Sequence, residues 1–155
     1  MSHTILIARS EIEKEAIFRF RYQVYIEEFH KNHLPADHAK KMLSDRADAY
    51  AILYYSIQNS ELSATVRSQR GTEGPFTEDQ YLFFDLKKFE PFIDFQKLAI
   101  VDRLIVAPAF RKSALAHEMM KATYVGGLEV GTKICFVTCD DHLLPMYLRY
   151  GFMSY

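Results

Sequence analysis

The chain has 155 residues with 19 Lys and Arg against 20 Asp and Glu, so its net charge is close to zero. This balance does not favour nucleic-acid binding by the chain as a whole, and any basic site must be local. Two cysteines give no disulfide framework, and the N-terminal residues fit neither a signal peptide nor a membrane span. The sequence predicts one domain over residues 1–155, located in the cytoplasm.

The first third of the chain predicts a strand, a helix and a polar connector. Residues 4–8 predict a short strand. Ser10 and Glu13 have the spacing of a capping box, and apolar residues recur at helical spacing from there to about Phe29. Residues 30–48 are polar and predict a loop with some helical character.

The middle third predicts a hairpin and an aromatic segment. Residues 49–58 and 62–69 are apolar runs separated by the polar residues 59–61, which predicts a β-hairpin. Residues 70–79 predict a loop because they contain Gly and Pro. Residues 81–95 are rich in aromatic side chains and favour helix or irregular structure.

The last third alternates strands and helices. Residues 97–106 predict a strand, 110–124 a helix, 133–138 a buried strand and 142–150 a short helix ending at Gly151. The resulting order, β-α-β-β-(α)-β-α-β-α, predicts an α/β fold in which a mixed central sheet is covered by helices on both faces.

Two adjacent glycines make the end of the longer helix ambiguous. Gly126 and Gly127 could end it, or the helix could continue through them for one more turn.

The turn at residues 111–116 is a candidate anion site. It follows a strand and begins a helix, where free backbone N–H groups and the helix dipole favour a phosphate. This stretch resembles the phosphate-binding turn of the GNAT family of N-acyltransferases, Arg/Gln-x-x-Gly-x-Gly/Ala, with Ala114 in place of the central Gly. An ordinary amphipathic helix with a basic start is the alternative interpretation.

The GNAT resemblance implies how an acyl thioester would bind. The thioester would lie where strands 97–106 and 133–138 separate, with backbone N–H groups polarising its carbonyl. The residues that the resemblance assigns to acyl-CoA or to an acylated carrier protein are Leu104, Ile105, Val106, Arg111, Lys112, Ser113, Ala114 and Ala116.

Tyr147 is the candidate catalytic residue. It stands four residues before Gly151 in a Tyr-x-x-x-Gly-Phe pattern, which is similar to the GNAT position whose phenol protonates the departing thiolate. A phenol is a suitable proton donor to a thiolate. An interfacial aromatic residue with a solvated hydroxyl is the alternative.

The N-terminal half contains an Arg-x-x-x-Tyr-x-x-Glu segment over residues 21–28, an Asp-x-x-Asp pair at Asp45 and Asp48, and arginines at Arg67 and Arg103 on the following strands. In order and spacing these residues resemble one branch of this family, the acyl-homoserine-lactone synthases and the related N-acyl amino acid synthases. The resemblance assigns Arg21, Asp45, Asp48, Arg67 and Arg103 to substrate binding. Three arginines from separate elements that face one cleft would clamp a carboxylate, because a guanidinium binds a carboxylate through two hydrogen bonds. A solvated charged loop with surface arginines is the alternative.

The sequence departs from this branch near Arg103. The glutamate expected three residues earlier is Ile100, and the nearest acid, Asp102, is predicted to point to the other face of the strand. This favours a simpler N-acylation over lactone formation. The two strands that normally follow the final helix also have no counterpart before Tyr155. That predicts a fragment, a second subunit that completes the acceptor side, or a domain without catalysis.

The sequence thus predicts an N-acyltransferase that moves an acyl group from a CoA or acyl-carrier-protein thioester to the amine of an amino acid or similar small molecule. The aromatic segment 81–95 favours a fatty acyl group, with a plain aromatic core as the alternative. No metal is predicted, because Cys135, Cys139 and His142 lack the spacing and the fourth ligand of a zinc site. The alternative function is a non-catalytic module that binds an acyl thioester or a protein partner.

Overall fold

The computed structural model describes residues 4–155, and five of its seven strands form one mixed sheet in the order β1-β4-β5-β6-β7. All neighbours in this sheet are antiparallel except β6 and β7, which are parallel. The strands are β1 (Ile5–Ile7), β2 (Ala36–Asp37), β3 (Met42–Leu43), β4 (Ile52–Gln58), β5 (Glu61–Arg70), β6 (Leu98–Val106) and β7 (Ile134–Val137). β2 and β3 form a separate two-stranded ribbon inside the connector that was predicted as a loop.

In the described part of the chain, four α-helices accompany the sheet: α1 (Glu11–Tyr22), α2 (Glu78–Phe83), α3 (Leu115–Glu129) and α4 (Leu144–Arg149). α1 continues as a π-helix over Gln23–Glu28, so the helical segment ends where the sequence predicts. Its capping box is confirmed, because Ser10 Oγ accepts from the Glu13 amide and Glu13 Oε2 accepts from the Ser10 amide. Within residues 4–155, no helix is long and apolar enough to cross a bilayer.

Helices cover both faces of the sheet, which confirms the predicted architecture. α3 and α4 pack on one face, where Met119 and Tyr147 contact the cluster that contains Tyr54 of β4. Neighbouring residues of a strand point to opposite faces. Accordingly Leu53 lies on the other face, buried under Ile17 of α1.

The predicted hairpin is formed by β4 and β5, and its turn is two residues long. Asn59 and Ser60 both have positive φ, 51° and 67°. A two-residue turn with this conformation matches the twist of the flanking strands. The polar residues between the two apolar runs were therefore a correct indication of a tight turn.

α3 differs from its predicted bounds. A 3₁₀ turn over Pro108–Phe110 precedes it, so the helix begins at Leu115 and then runs through Gly126 and Gly127 to Glu129. A Cβ on Gly126 would overlap Arg70 Nη2 and the Tyr54 hydroxyl. This glycine therefore permits close packing of the helix on the sheet and does not end the helix.

A β-bulge in β6 creates the cleft. Arg67 pairs with Asp102 and Thr65 pairs with Ile105, so Arg103 and Leu104 together face one residue of β5. Arg103 occupies the left-handed region at φ 56°, and such a bulge bends its strand. The pairing of β6 with β7 ends at Val101, just before the bulge, and the two strands then separate.

Candidate active site

The separation of β6 and β7 opens into a cavity of about 970 Å³. Its walls come from the π-helix, α2, the bulged half of β6, the turn before α3, the loop after β7 and α4. The predicted site residues that line it are Asp45, Arg67, Arg103, Leu104, Ile105, Val106, Arg111, Lys112, Ser113, Ala116 and Tyr147. The lining residues do not include the predicted residues Arg21, Asp48 and Ala114.

The backbone of β6 presents two peptide groups towards the cleft. The Ala107 amide donates to the Ser63 carbonyl at 2.8 Å, so its backbone faces β5. Ile105, two residues earlier and opposite Thr65, has the same orientation. Because the direction of backbone groups alternates along an antiparallel strand, Leu104 and Val106 direct theirs away from β5. Arg111 Nε accordingly donates to the Val106 carbonyl at 2.9 Å. Ile105, which was assigned to the thioester site as well, faces β5 with its backbone.

Tyr147 lies on α4 against the cavity and is only 4% exposed. Burial is the main cause that raises the pKa of this phenol, and the neighbouring Cys139 thiol adds to the effect. The hydroxyl therefore stays protonated at neutral pH and is able to donate a proton. The Tyr-x-x-x-Gly-Phe pattern also ends the helix, because Gly151 has φ 88° and the Phe152 amide donates to the Tyr147 carbonyl.

Arg111 is paired within the protein. Its Nη2 donates to Glu28 Oε2 at 2.7 Å, and its Nη1 donates to the other oxygen of the same carboxylate. The guanidinium also lies over the Phe29 ring, 5.0 Å from the centroid. The hydrogen bonds from Arg111 hold the pKa of Glu28 below its usual range. The side chain of Arg111 thus joins the end of the π-helix to the turn before α3. Its Nη1 and Nη2 groups already bind the Glu28 carboxylate.

The turn before α3 does not need the missing glycine. Ala114 has an ordinary helical conformation, with φ −72° and ψ −3°, whereas Lys112 is the residue with positive φ, 111°. Ser113 Oγ donates to the Phe110 carbonyl and accepts from the Leu115 amide at the start of the helix. The substitution of Gly by Ala at position 114 therefore imposes no backbone strain.

Arg67 is the centre of a buried network of charges. It donates to both oxygens of Asp102 at 2.7 and 2.8 Å and to Asp45 at 2.5 Å, and its Nη1 lies 3.2 Å from Asp48. Burial alone would lower the pKa of Arg67, but the surrounding carboxylates raise it far above its usual value. The N–H donors of the Arg67 guanidinium are bound to protein carboxylates, so Arg67 positions the neighbouring residues and does not itself bind substrate.

Arg21 lies deeper than the carboxylate-clamp prediction assumed. It is fully buried, and its Nη1 donates to Asp48 at 2.8 Å. Asp48 also accepts from the Asp45 amide, which completes a capping box for the 3₁₀ turn over Arg46–Ala49. The three arginines belong to one network, but Arg21 supports the cleft without lining it.

Two arginines of the network, Arg67 and Arg103, line the cavity, and the side chain of Arg103 is the more exposed of the two. Its side chain is 17% exposed, compared with 3% for Arg67, and its Nη2 donates to Asp45 at 2.9 Å. Its guanidinium lies 5.6 Å from the ring centroid of Tyr25, on the π-helix. Burial would raise the pKa of Asp45, but Arg67 and Arg103 outweigh it and lower the pKa to about 2.

Asp102 points to the same side as Arg103, which corrects the prediction that they lie on opposite faces. The bulge interrupts the alternation of the strand, so Asp102 and Arg103 join the same network through Arg67 and Asp45. Ile100 is buried in the aromatic cluster with Phe136, so the position of the missing glutamate is apolar.

The aromatic segment contributes to both the core and the cleft. Phe84 and Phe89 pack on Phe136, with ring centroids 5.9 and 5.0 Å apart. Phe83 and Phe84 also line the cavity, together with Gln80 of α2. The sequence interpretation missed Gln80, which belongs to no motif. It included Glu28 in the Arg-x-x-x-Tyr-x-x-Glu segment but missed the partnership of Glu28 with Arg111.

The pKa values of both cysteine thiols are raised, mainly by burial. Burial raises the pKa of Cys135 to about 12, which disfavours its thiolate. Within the described part of the chain, no group of three or more His, Cys, Asp and Glu side chains could hold a metal ion.

Several solved structures with the same fold are described as acyltransferases, and one is described as a transcriptional regulator from Bacillus halodurans. A CoA-dependent acyl-homoserine lactone synthase, BjaI, solved with SAM and isopentyl-CoA, matches with a TM-score of 0.79 and 18% identity, over 98% of this chain and 74% of that chain. A predicted acetyltransferase from Clostridium acetobutylicum, solved with acetyl-CoA, matches with a TM-score of 0.62 and 11% identity, over 98% and 92%. An aminoglycoside acetyltransferase from an uncultured soil metagenomic sample gives 0.62 and 16%, over 100% and 94%.

Sequence comparison gives the family directly. No curated protein matches the chain. The family model described as an acetyltransferase (GNAT) domain matches residues 20–121, which is more than half of the chain. The chain therefore belongs to the GNAT acetyltransferase family.

Proposed function

We propose that this chain transfers an acyl group from a thioester to the amine of an amino acid or a similar small molecule. The observation that carries the proposal is that one cavity brings together the cleft-facing backbone of Leu104 and Val106 and the buried, protonated hydroxyl of Tyr147. The backbone N–H groups of Leu104 and Val106 would stabilise a developing oxyanion, and the Tyr147 hydroxyl would protonate the leaving thiolate.

The reaction follows from this arrangement. The acceptor nitrogen attacks the thioester carbon, and the N–H groups of Leu104 and Val106 stabilise the negative oxygen of the tetrahedral intermediate. The C–S bond then breaks, and Tyr147 gives its proton to the thiolate. The attacking amine loses its own proton to solvent, and the Tyr147 phenolate takes a proton back from solvent. The products are an amide and a free thiol, and the enzyme returns to its starting state.

Arg103 supports an acceptor that carries a carboxylate. It is a partly exposed cation on the cavity wall, and one of its nitrogens already binds Asp45. Its remaining N–H groups would hold a carboxylate. The carboxylates of Asp45, Asp48 and Asp102 balance the charges of the three arginines in the network. An amino acid supplies both the attacking amine and such a carboxylate.

We propose acyl-CoA as the first thioester to test and acyl carrier protein as the second. The turn at Lys112 to Ala116 begins a 15-residue helix beside the cavity and so suits a pyrophosphate. The structures of BjaI and of the Clostridium protein that contain acyl-CoA are of the same fold. Phe83 and Phe84 on the cavity wall support a longer acyl chain than acetyl.

The test is to incubate the protein with acyl-CoA esters of two to twelve carbons and a pool of amino acids and amines. Free thiol is measured with a colorimetric reagent, and the N-acyl product is identified by mass spectrometry. The proposal requires thiol release that depends on the amine. Thioester binding without thiol release in any mixture would contradict the proposal and would favour the non-catalytic module. One observation supports that alternative: the guanidinium of Arg111 is already paired with the carboxylate of Glu28. The same assay with acylated carrier protein decides between the two donors.

A second copy of the chain that completes the acceptor side stays a prediction. The mass of the particle in solution, measured by light scattering with and without acyl-CoA, would establish the oligomeric state.

A further inference from the structure

Arg46 places a cation without an ion pair on the wall of the cavity. It begins the 3₁₀ turn over Arg46–Ala49, it is exposed, and it lines the same cavity as Arg103. None of the ion pairs formed by residues 4–155 includes Arg46, whereas Arg103 is paired with Asp45. The charge of Arg46 is therefore available to a ligand in the cavity.

Most other charges on the cavity wall are paired within the protein. The lining Lys, Arg and Asp side chains that form ion pairs are Lys31, Asp45, Arg67, Asp102, Arg103, Arg111 and Asp140. Besides Arg46, two lining groups have no ion pair within residues 4–155: Asp79 on α2 and Lys112 in the turn before α3. Lys112 belongs to the turn proposed for the pyrophosphate, so Arg46 is the unpaired cation that remains for the acceptor.

The backbone that carries Arg46 is fixed next to Arg103 by one carboxylate. Asp45 Oδ1 accepts from the Ala47 amide at 3.0 Å, and the Asp45 amide donates to Asp48 at 2.9 Å, so the turn is held at its start. The other oxygen of Asp45 accepts from Arg103 Nη2 at 2.9 Å. Since Arg46 follows Asp45 directly, the two arginines stand side by side on the wall.

Two neighbouring arginines suit a ligand with two anionic groups. The N–H groups of Arg103 that do not bind Asp45 would hold the first carboxylate of an acceptor. An acceptor with only that carboxylate would leave Arg46 to solvent, whereas a second carboxylate would pair with its guanidinium through two hydrogen bonds. Both cations also disfavour a protonated amine beside them, so they favour the neutral amine that attacks the thioester.

We propose that Arg46 is a specificity-determining residue that binds a second carboxylate of the acceptor, so that the preferred acceptor is an amino acid with an acidic side chain. This inference rests on the proposed function for the position of the acceptor at Arg103. Asp79, the unpaired acid on α2, gives the opposite expectation, a basic side chain, and the test includes that outcome.

The test measures acceptor binding without turnover, by NMR titration of the isotope-labelled protein with and without CoA. Glutamate is compared with glutamine and aspartate with asparagine, because each pair differs by one charge and the two pairs differ in the distance between the carboxylates. In at least one pair the acidic amino acid should bind roughly fivefold more tightly, as expected of an ion pair on a solvated wall. Equal binding within both pairs, no binding of either acidic amino acid, or tighter binding of lysine than of both would overturn the proposal.

Variants at Arg46 assign the preference to this side chain. Arg46→Gln removes the charge and should abolish the preference for the acidic amino acid, while the affinity for its amide counterpart stays the same. Arg46→Lys keeps the charge and should retain part of the preference. Arg9→Gln is the matched control, because Arg9 is also exposed but does not line the cavity, and this variant should bind as wild type does. A preference that survives Arg46→Gln, or that is lost equally in Arg9→Gln, overturns the proposal.

The two proposals fail in different ways. If no amine yields a product but the acidic amino acid binds more tightly through Arg46, the transfer activity is wrong and the acceptor subsite stands. If acidic amino acids and their amides are acylated with equal kcat/KM and bind with equal affinity, the transfer activity stands and the role of Arg46 is wrong.

Discussion

Arg67 shows how a single residue can be essential to a site without being free to bind substrate. Its donors contact Asp102, Asp45 and Asp48, and only 3% of its side chain is exposed. Removal of three guanidinium groups and three carboxylates from water is costly, and the cost is offset only when the charges are paired and hydrogen-bonded. Arg67 itself meets this condition, whereas Nε and Nη2 of the buried Arg21 have no hydrogen-bond partner among residues 4–155. The first role of Arg67 is therefore to hold the strands and the loop before β4 in place.

Tyr147 carries the most direct prediction about chemistry at the residue scale. Tyr147→Phe keeps the buried ring and removes the proton donor, so kcat should fall on the order of ten- to a thousand-fold, while the dissociation constant of acyl-CoA changes little. Steady-state kinetics with free-thiol detection, together with calorimetric binding, provide the two measurements.

Tyr150→Phe is the matched control for that prediction. Tyr150 lies in the same helical turn, with its ring centroid 6.4 Å from that of Tyr147, and it is 36% exposed. Its variant should retain wild-type kcat. Equal turnover of the Tyr147→Phe variant and wild type would show that the phenol is not the proton donor.

The sequence predicted the members of the site better than their roles. The resemblance to the synthase branch assigned Arg21, Asp45, Asp48, Arg67 and Arg103 to one site, and these residues do form one network. The order of residues in the sequence does not show how deeply a side chain is buried, however. It therefore did not distinguish the fully buried Arg21 from an arginine that lines the cavity. The partnership of Arg111 with Glu28 joins residues 83 positions apart, which no local pattern predicts.

At the scale of elements, the two glycines of α3 have different roles, and a matched pair of variants tests them. Gly126→Ala should lower the free energy of unfolding by about 1–3 kcal/mol, because the new methyl group overlaps Arg70 and Tyr54 and disturbs their hydrogen bond. Gly127→Ala meets only Thr132, at an ordinary contact distance of 3.4 Å. It should raise stability by about 0.5–1 kcal/mol through helix propensity.

Urea denaturation of both variants checks this difference. A loss of stability in Gly127→Ala, or no loss in Gly126→Ala, would contradict the packing explanation for the course of α3. The sequence left the end of this helix open because glycine lowers helix propensity at both positions equally. Only the neighbouring side chains of β4 and β5 distinguish the two.

The strands and the capped helix were predictable because their signals are local. Apolar runs with a tight polar turn gave β4 and β5, and the Ser10 capping box gave the start of α1. The bulge at Arg103 was not predictable, since arginine has no preference for φ 56°. That bulge places Asp102 and Arg103 on one side and separates β6 from β7, so the least predictable residue of the strand shapes the cleft.

At the scale of the whole molecule, ion pairs connect the two halves of the chain across the cleft. Lys31, after the π-helix, donates to both oxygens of Asp140 at 2.8 Å, and Glu28 accepts from Arg111. The buried network connects α1, the loop before β4, β5 and β6 in the same way. The walls of the cavity are thus held by charges from segments far apart in the sequence, and the stability of the fold should depend on the ionisation of its carboxylates.

Asp45 makes this dependence measurable. Its pKa is about 2 in the folded chain, below the usual value of 3.8, and its side chain is three-quarters buried between Arg67 and Arg103. A lowered folded-state pKa means that ionised Asp45 stabilises the fold above about pH 4, and that this contribution is lost as the pH falls through about 2. We expect the stability advantage of wild type over Asp45→Asn to shrink by about 2 kcal/mol between pH 5 and pH 2. Urea unfolding of both proteins across this range measures it, and Glu13, whose pKa is also about 2, titrates equally in both and cancels from the difference. An advantage that stays constant over the whole range would show that the arginines do not hold Asp45 ionised.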